Sequence, residues 1–182
     1  MKSIYLIRHC EASGQEPTAP LTEKGKQQAL ELAEFLTQEE IDRVITSPYT
    51  RAVESIRPFC DQERLELTLD ERLTERVLSK QPLDDWLDKL EASFTDMKQV
   101  VGEGESSQVA QDRIVTVLKE LLEDDSSQGI ALVSHGNLLS LLLHYVDSRF
   151  GFREWKQLSN PDVYLITAGS DESLSMTRLW NS

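Results

Sequence analysis

Two histidines and two arginines stand where strand-like runs stop. Ile4-Tyr5-Leu6-Ile7 leads into Arg8-His9, and Ile130-Ala131-Leu132-Val133 leads into Ser134-His135-Gly136. A third apolar run, Val44-Ile45-Thr46, ends in Ser47-Pro48-Tyr49-Thr50-Arg51. In an open α/β sheet ligands bind in the crevice beyond the carboxyl ends of the strands, so these sequence-distant residues can meet in one place. Two imidazoles and two guanidiniums there would form a small anion site with a nucleophile in it. Taken singly, a histidine at a strand end is an ordinary structural residue; two of them with two placed arginines point to chemistry.

The elements that must position these groups alternate between strand and helix. After the first run come a polar loop, Ser13 to Pro20, and a helix opened by Thr22 as N-cap, with Ala29, Leu32, Ala33 and Leu36 on one face. Ser47-Pro48 reads as an N-cap followed by proline at the first helical position, which puts Arg51 in the first turn at the electropositive end. Leu65 to Leu69 alternates like a short strand. From Leu83, the residues Trp86, Leu87, Leu90, Phe94 and Met97 keep a helical stripe that reads as core. Gly102-Glu103-Gly104 breaks that stripe, and Ser106 caps a further helix with Ile114, Val117, Leu118 and Leu121 buried. The glycine-containing segment lacks the lysine of a P-loop and carries two carboxylates, so it reads as a helix start. Strand Ile130 to Val133, helix Leu138 to Val146, and strands near Val163 to Thr167 and Leu174 to Leu179 follow. His144 lies inside that apolar helix and is assigned to packing. The alternation predicts an α/β fold: a three-layer α/β/α sandwich with a mostly parallel central sheet.

Composition narrows the function. The 182 residues suit one domain, read here as 1–182. With 19 basic and 32 acidic residues the net charge is -13, which argues against nucleic acid and anionic membranes as partners. A small anionic substrate remains compatible, because the field inside a cleft is set by its lining. Cys10 and Cys60 lie fifty positions apart without C-x-x-C spacing, which supports neither a disulfide framework nor a zinc site and fits a reducing cytoplasm. The apolar stretch before Arg8 is too short for a signal-peptide core or a membrane span.

Arg8-His9 after a strand, Leu21-Thr22-x-x-Gly25-x-x-Gln28-Ala29, Ser47-Pro48-x-x-Arg51-Ala52, Leu73-x-Glu75, Gly104-Glu105-Ser106 and Ser134-His135-Gly136 occur in one order. Together they make the chain resemble the histidine phosphatase superfamily, also called the phosphoglycerate mutase-like family. The resemblance implies phosphoryl transfer through a phosphohistidine, with neither metal nor organic cofactor. It assigns His9 as nucleophile, with Arg8, Arg51 and His135 stabilising the transferring group. The general acid falls on Glu75, with Asp70 and Glu71 as neighbouring alternatives. Gln15 and Asn137 join Arg8, Arg51 and His135 as substrate-binding candidates. This division of labour is chemically sound, since phosphoryl transfer spreads charge over equatorial oxygens and needs mostly positioning and electrostatic stabilisation.

The chain departs from the family's R-H-G-E-[ST]-x-x-N opening. Cys10 replaces glycine, Ala12 the hydroxyl residue and Gln15 the asparagine, while Ser13 offers a hydroxyl one position on. The Gly-x-Trp-Glu-Gly segment that often follows the acid is absent, and Arg76-Val77-Leu78-Ser79 stands there. The leading expectation is a phosphomonoester phosphatase for a small phosphorylated substrate. The alternatives are a phosphoglycerate mutase, for which the chain looks short, and a non-catalytic interaction module of the same fold.

Overall fold

The apolar runs that end in the candidate residues become the middle of one sheet. The computed structural model describes residues 2–171 and 173–181. Its strands are β1 Ser3–Arg8, β2 Arg43–Thr46, β3 Leu67–Leu69, β4 Gly129–Ser134, β5 Asp162–Ala168 and β6 Leu174–Arg178. They lie in the order β3-β2-β4-β1-β5-β6. The first four are mutually parallel, whereas β5 runs antiparallel to β1 and β6 antiparallel to β5. The mostly parallel sheet expected from the strand–helix alternation is therefore present, with an antiparallel pair at one edge.

Helices α1 Glu23–Leu36, α2 Thr50–Glu63, α3 Trp86–Thr95, α4 Ser107–Glu123, α5 Gly136–Val146 and α6 Phe152–Trp155 complete the fold. The two-residue period of a strand sends alternate side chains to opposite faces. Ile4, Leu6, Ile130, Leu132 and Ile166 pack under α4 and α5, while Ile7, Ala131, Val133 and Val163 pack under α1 and α2. Every residue of β4 is buried. Covering both faces yields the three-layer α/β/α arrangement, and each fully buried leucine or isoleucine contributes roughly 1.5–3 kcal/mol. The carboxyl ends of β2, β4 and β1, side by side in this rigid middle, present the candidate residues.

Local side-chain caps set the starts of α1 and α4. The Thr22 hydroxyl accepts from the Gly25 amide at 2.9 Å and that of Ser106 from the Val109 amide at 3.2 Å, which satisfies a free donor in each first turn. The expected cap at Ser47-Pro48 is corrected: α2 begins at Thr50, with Tyr49 in the cap position. Ser47, just past β2, is still tied to β4, its amide donating to the Val133 carbonyl at 2.9 Å, so the chain must turn through Pro48 and Tyr49 before a helix can form. Arg51 nevertheless falls in the first turn. Helix α3 begins at Trp86 rather than Leu83, and α5 begins two residues before Leu138. The Trp86 stripe is core only in part. Leu90 is buried and Phe94 and Met97 pack on the α4–α5 side, but Trp86 and Leu87 are 46% and 44% exposed.

Candidate active site

Strand order brings the two histidines together. Arg8 of β1 stands opposite Ser134 of β4, and the His9 amide continues the ladder to the Ser134 carbonyl at 3.1 Å. The His9 and His135 rings lie 5.2 Å apart at 60°, and Tyr49 places its ring edge-on to His135 at 5.0 Å. Arg51, at 1% exposure, comes from the first turn of α2 and donates from Nε to His9 Nε2 at 3.2 Å.

Several bonds hold His9 in place. Its carbonyl accepts from Asn160 Nδ2 at 2.7 Å, and the Cys10 amide donates to Ser55 Oγ at 2.8 Å. The Ser55 hydroxyl donates in turn to the Arg51 carbonyl at 2.6 Å, which ties the loop after His9 to α2. The Glu11 amide donates to Gln28 Oε1 at 2.8 Å, and the Glu11 carbonyl accepts from the Thr22 amide at 3.0 Å. A Cβ on Gly25 would lie 2.0 Å from that carbonyl, so only glycine lets the first turn of α1 approach the loop. The Leu21-Thr22-x-x-Gly25-x-x-Gln28 motif is thus a cradle for the residues after His9.

The same bonds set the chemistry of the imidazole. His9 Nδ1 lies 2.7 Å from the Cys10 carbonyl, which can only accept, so Nδ1 carries the hydrogen and the lone pair is on Nε2. Burial, reinforced by the Arg51 and Arg8 charges, holds the His9 pKa down to about 3, so the ring is neutral at physiological pH. Burial pushes the neighbouring Cys10 thiol up to about 12, so it is held as the thiol at physiological pH.

Arg8 donates from Nη1 to the Leu158 carbonyl at 3.0 Å, while its buried Nε has no partner among the described residues. A Cβ on Gly136 would come within 2.9 Å of that Nε, which explains glycine after His135. His135 is fully buried, and burial with the nearby positive groups holds its pKa well below the ordinary histidine value. Its Nε2 lies 2.8 Å from Ser47 Oγ, and its Nδ1 is buried without a partner among the described residues. Ser47, read from sequence as a cap, therefore orients His135.

Glu75 sits at the amino end of α5. Its Oε1 accepts from the Leu138 and Arg76 amides at 2.9 and 2.8 Å, and its Oε2 accepts from the Asn137 amide at 3.0 Å. Asp70 instead pairs with Arg72 at 2.7 Å, and Glu71 is exposed. Of the three acids, only Glu75 lines the cavity of about 450 Å³ beside Arg8, together with Gln15, Arg76, Leu78, Trp86, Leu90, Gly136, Asn137 and Trp155. Asn137 is 8% exposed with Oδ1 unpartnered, whereas Gln15 is exposed at the rim. Ser13 does not replace the missing hydroxyl, since it donates to the Pro20 carbonyl at 3.1 Å. A roomier cleft at the amino ends of the strands is lined by Glu39, Glu40 and Asp42, a setting that repels phosphate. Among the described residues, no group of three or more His, Cys, Asp or Glu side chains is arranged to hold a metal ion.

Sequence reasoning missed Asn160, Ser55, Ser47 and Arg76 as parts of this site. Asn160-Pro161 is a recognisable turn dipeptide, but nothing local marks it as reaching His9. His144 is a packing residue as expected, with Nδ1 2.6 Å from the Phe150 carbonyl and Phe94 edge-on to its ring.

The two depressed histidines make stability depend on pH. The unfolded chain takes up their protons as pH falls through about 6.5, whereas folded His9 does not until about 3. Their contribution is complete above 6.5 and is lost on acidification across that window, by roughly 2 kcal/mol per histidine between pH 6.5 and 5. Urea midpoints should therefore fall between pH 7 and 5, and less steeply in His9→Gln. A midpoint unchanged by acidification would contradict neutral burial of these rings.

Histidines and arginines gathered at the carboxyl ends of adjacent parallel strands make this end of the α/β sheet the candidate site. A profile of the histidine phosphatase superfamily, branch 1, matches residues 4–181, and the chain belongs to that superfamily. It is 29% identical over 173 residues to the probable phosphoglycerate mutase GpmB of Salmonella paratyphi A, covering 86% of this chain and 79% of that protein. The fold is also that of a mycobacterial glucosyl-3-phosphoglycerate phosphatase, with a TM-score of 0.77 at 22% identity and complete coverage of both chains. A phosphoserine phosphatase of Entamoeba histolytica superposes with a TM-score of 0.80 at 20% identity, over 97% of this chain and 95% of that one. No helix among the described residues is long and apolar enough to cross a membrane.

Proposed function

We propose that the chain is a phosphomonoester phosphatase that transfers the phosphoryl group of a small substrate to His9 Nε2 and then to water. The observation that carries this reading is the geometry at His9, whose Nδ1 is held by the Cys10 carbonyl and whose Nε2 lone pair faces the Arg51 guanidinium. Phosphoryl oxygens that take over Arg51 would free this lone pair to attack phosphorus. As the N–P bond forms, the ester P–O bond breaks and its electrons pass to the leaving oxygen. Arg8, Arg51 and His135 offset the charge on the equatorial oxygens, so no metal is required for that task. Glu75 supplies the leaving group's proton from Oε2, which accepts one amide hydrogen and keeps a further lone pair, whereas Oε1 accepts two. The resulting carboxylate then takes a proton from the water that attacks the phosphohistidine, which restores both groups. The two buried, unpaired cysteines are compatible with work in the cytoplasm.

Glu75 is tested by its dependence on leaving group. An alkyl phosphate needs protonation as its ester bond breaks, whereas nitrophenolate departs nearly unaided. Glu75→Gln should lose 10²–10⁴-fold in kcat on an alkyl ester and far less on nitrophenyl phosphate. Equal losses on both would remove Glu75 from this role, and the same comparison at Asp70 and Glu71 would locate the acid.

A mutase reading is supported by the name of the 29%-identical relative. It would keep the phosphohistidine and return the phosphoryl group to a bound intermediate. Incubation with 3-phosphoglycerate separates the two readings, with inorganic phosphate as product in one and 2-phosphoglycerate in the other. The interaction-module reading gains nothing from the geometry, since His9, Arg8, Arg51, His135 and Glu75 all converge.

A further inference from the structure

Arg76 occupies the segment where the chain departs from the family pattern, and the proposed phosphoryl transfer leaves it unused. It is only 4% exposed and lines the cavity that also holds Arg8 and Glu75. Its bonds go to neutral oxygens: Nε donates to the Glu105 carbonyl at 3.0 Å and Nη1 to Ser93 Oγ at 2.8 Å. Nη2 is buried without a partner among the described residues. Neither nearby carboxylate pairs with the guanidinium. Glu105 binds Arg113 at 2.7 Å, and Glu75 accepts the backbone amides of α5 and of Arg76 itself. A buried charge held by neutral acceptors alone is costly, and an anionic oxygen on the unused donor relieves that cost. The floor beneath it is well built, because Ser93 Oγ donates to the Leu90 carbonyl at 2.7 Å and the Ser93 carbonyl accepts from Ser107 Oγ at 2.7 Å. Beside Arg76 the wall is apolar, formed by Leu78, Leu90 and the edge-to-face pair of Trp86 and Trp155 at 6.3 Å.

We infer that Arg76 is a specificity-determining residue that binds a second anionic group, a carboxylate or a further phosphate, on the substrate whose phosphate sits at His9. The body between the two groups lies against the tryptophan wall. This rests on the phosphatase reading for which end reacts, but the second subsite can be measured without turnover. Arg8 and Arg76, which line the cavity, and Arg51, which sits on His9, concentrate positive charge in a chain of net charge -13, which favours a doubly anionic small molecule over a singly charged one.

The test is titration calorimetry with non-hydrolysable alkyl phosphonates of one chain length, ending in a carboxylate, the matching carboxamide or a second phosphonate. The intact protein should bind the carboxylate or bisphosphonate at least tenfold more tightly than the amide, and whichever gains more identifies the second group. Arg76→Gln should bring the ratio to within about twofold, while Arg76→Lys, which keeps the charge, should retain part of it. A merely structural Arg76 would lower the unfolding midpoint in both variants and leave the ratio unchanged. Equal binding of all three phosphonates to the intact protein would overturn the inference whether or not Arg76→Gln folds, and so would a ratio that survives Arg76→Gln. Nitrophenyl phosphate turnover is scored separately. A protein that binds with this preference yet hydrolyses nothing would keep the subsite and reject the phosphatase.

Discussion

His9→Ala should abolish turnover, lowering kcat by roughly 10⁴-fold or more, because removing the group that forms the covalent intermediate leaves only binding and electrostatics. The fold should persist. The variant removes a depressed, buried imidazole, and the partners it frees, the Cys10 carbonyl and Arg51 Nε, border the site. The expected stability loss is about 1–3 kcal/mol, the usual consequence of leaving buried polar groups without partners. Circular dichroism and a urea titration check that the inactive protein is native. Substantial residual activity in a folded His9→Ala protein would move the chemistry to another group.

Arg51→Ala should reduce kcat by about 10²–10³-fold, equivalent to roughly 2.7–4 kcal/mol for one donor aimed at developing charge. KM should rise as well, because Arg51 Nη1 also donates to the Glu16 carbonyl at 2.9 Å and the guanidinium stacks 5.1 Å from the Tyr49 ring. Its loss therefore loosens the loop that carries Gln15. Arg51→Lys should recover only part of the rate, since an ammonium restores the charge but not the planar fork that spans His9 and Glu16. A kcat in Arg51→Ala within a few-fold of the parent would show that the transferring charge is stabilised elsewhere.

The parts of this site that could be read from sequence are those governed by local physics. The runs Ile4–Ile7 and Ile130–Val133 are strands because β-branched and apolar residues fit a sheet covered on both faces, and their ends locate His9 and His135. Thr22 and Ser106 cap helices through bonds that span only three residues. What sequence could not show depends on partners distant along the chain. Ser47-Pro48 has the local form of a helix start, yet Ser47 is held by a β4 carbonyl and by His135, and tertiary contacts override the local preference. Asn160 reaches His9 across 151 positions. Trp86 has the spacing of a core residue, but α3 turns that face toward the cavity mouth, where Trp155 meets it. Periodicity states which residues share a face and leaves open what the face covers. Glu75 could be singled out from its acidic neighbours only through the family pattern, because its attachment to α5 depends on amides more than sixty positions away.

The central claim is covalent transfer to His9, and rapid-quench mass spectrometry during turnover of a phosphate ester tests it most directly. The account predicts a phosphoryl group on the peptide containing His9, stable in base and lost in acid as a phosphoramidate is, appearing within the first turnover and absent from His9→Ala. A phosphoryl group on Cys10, or full turnover with no phosphorylated peptide at any quench time, would contradict it.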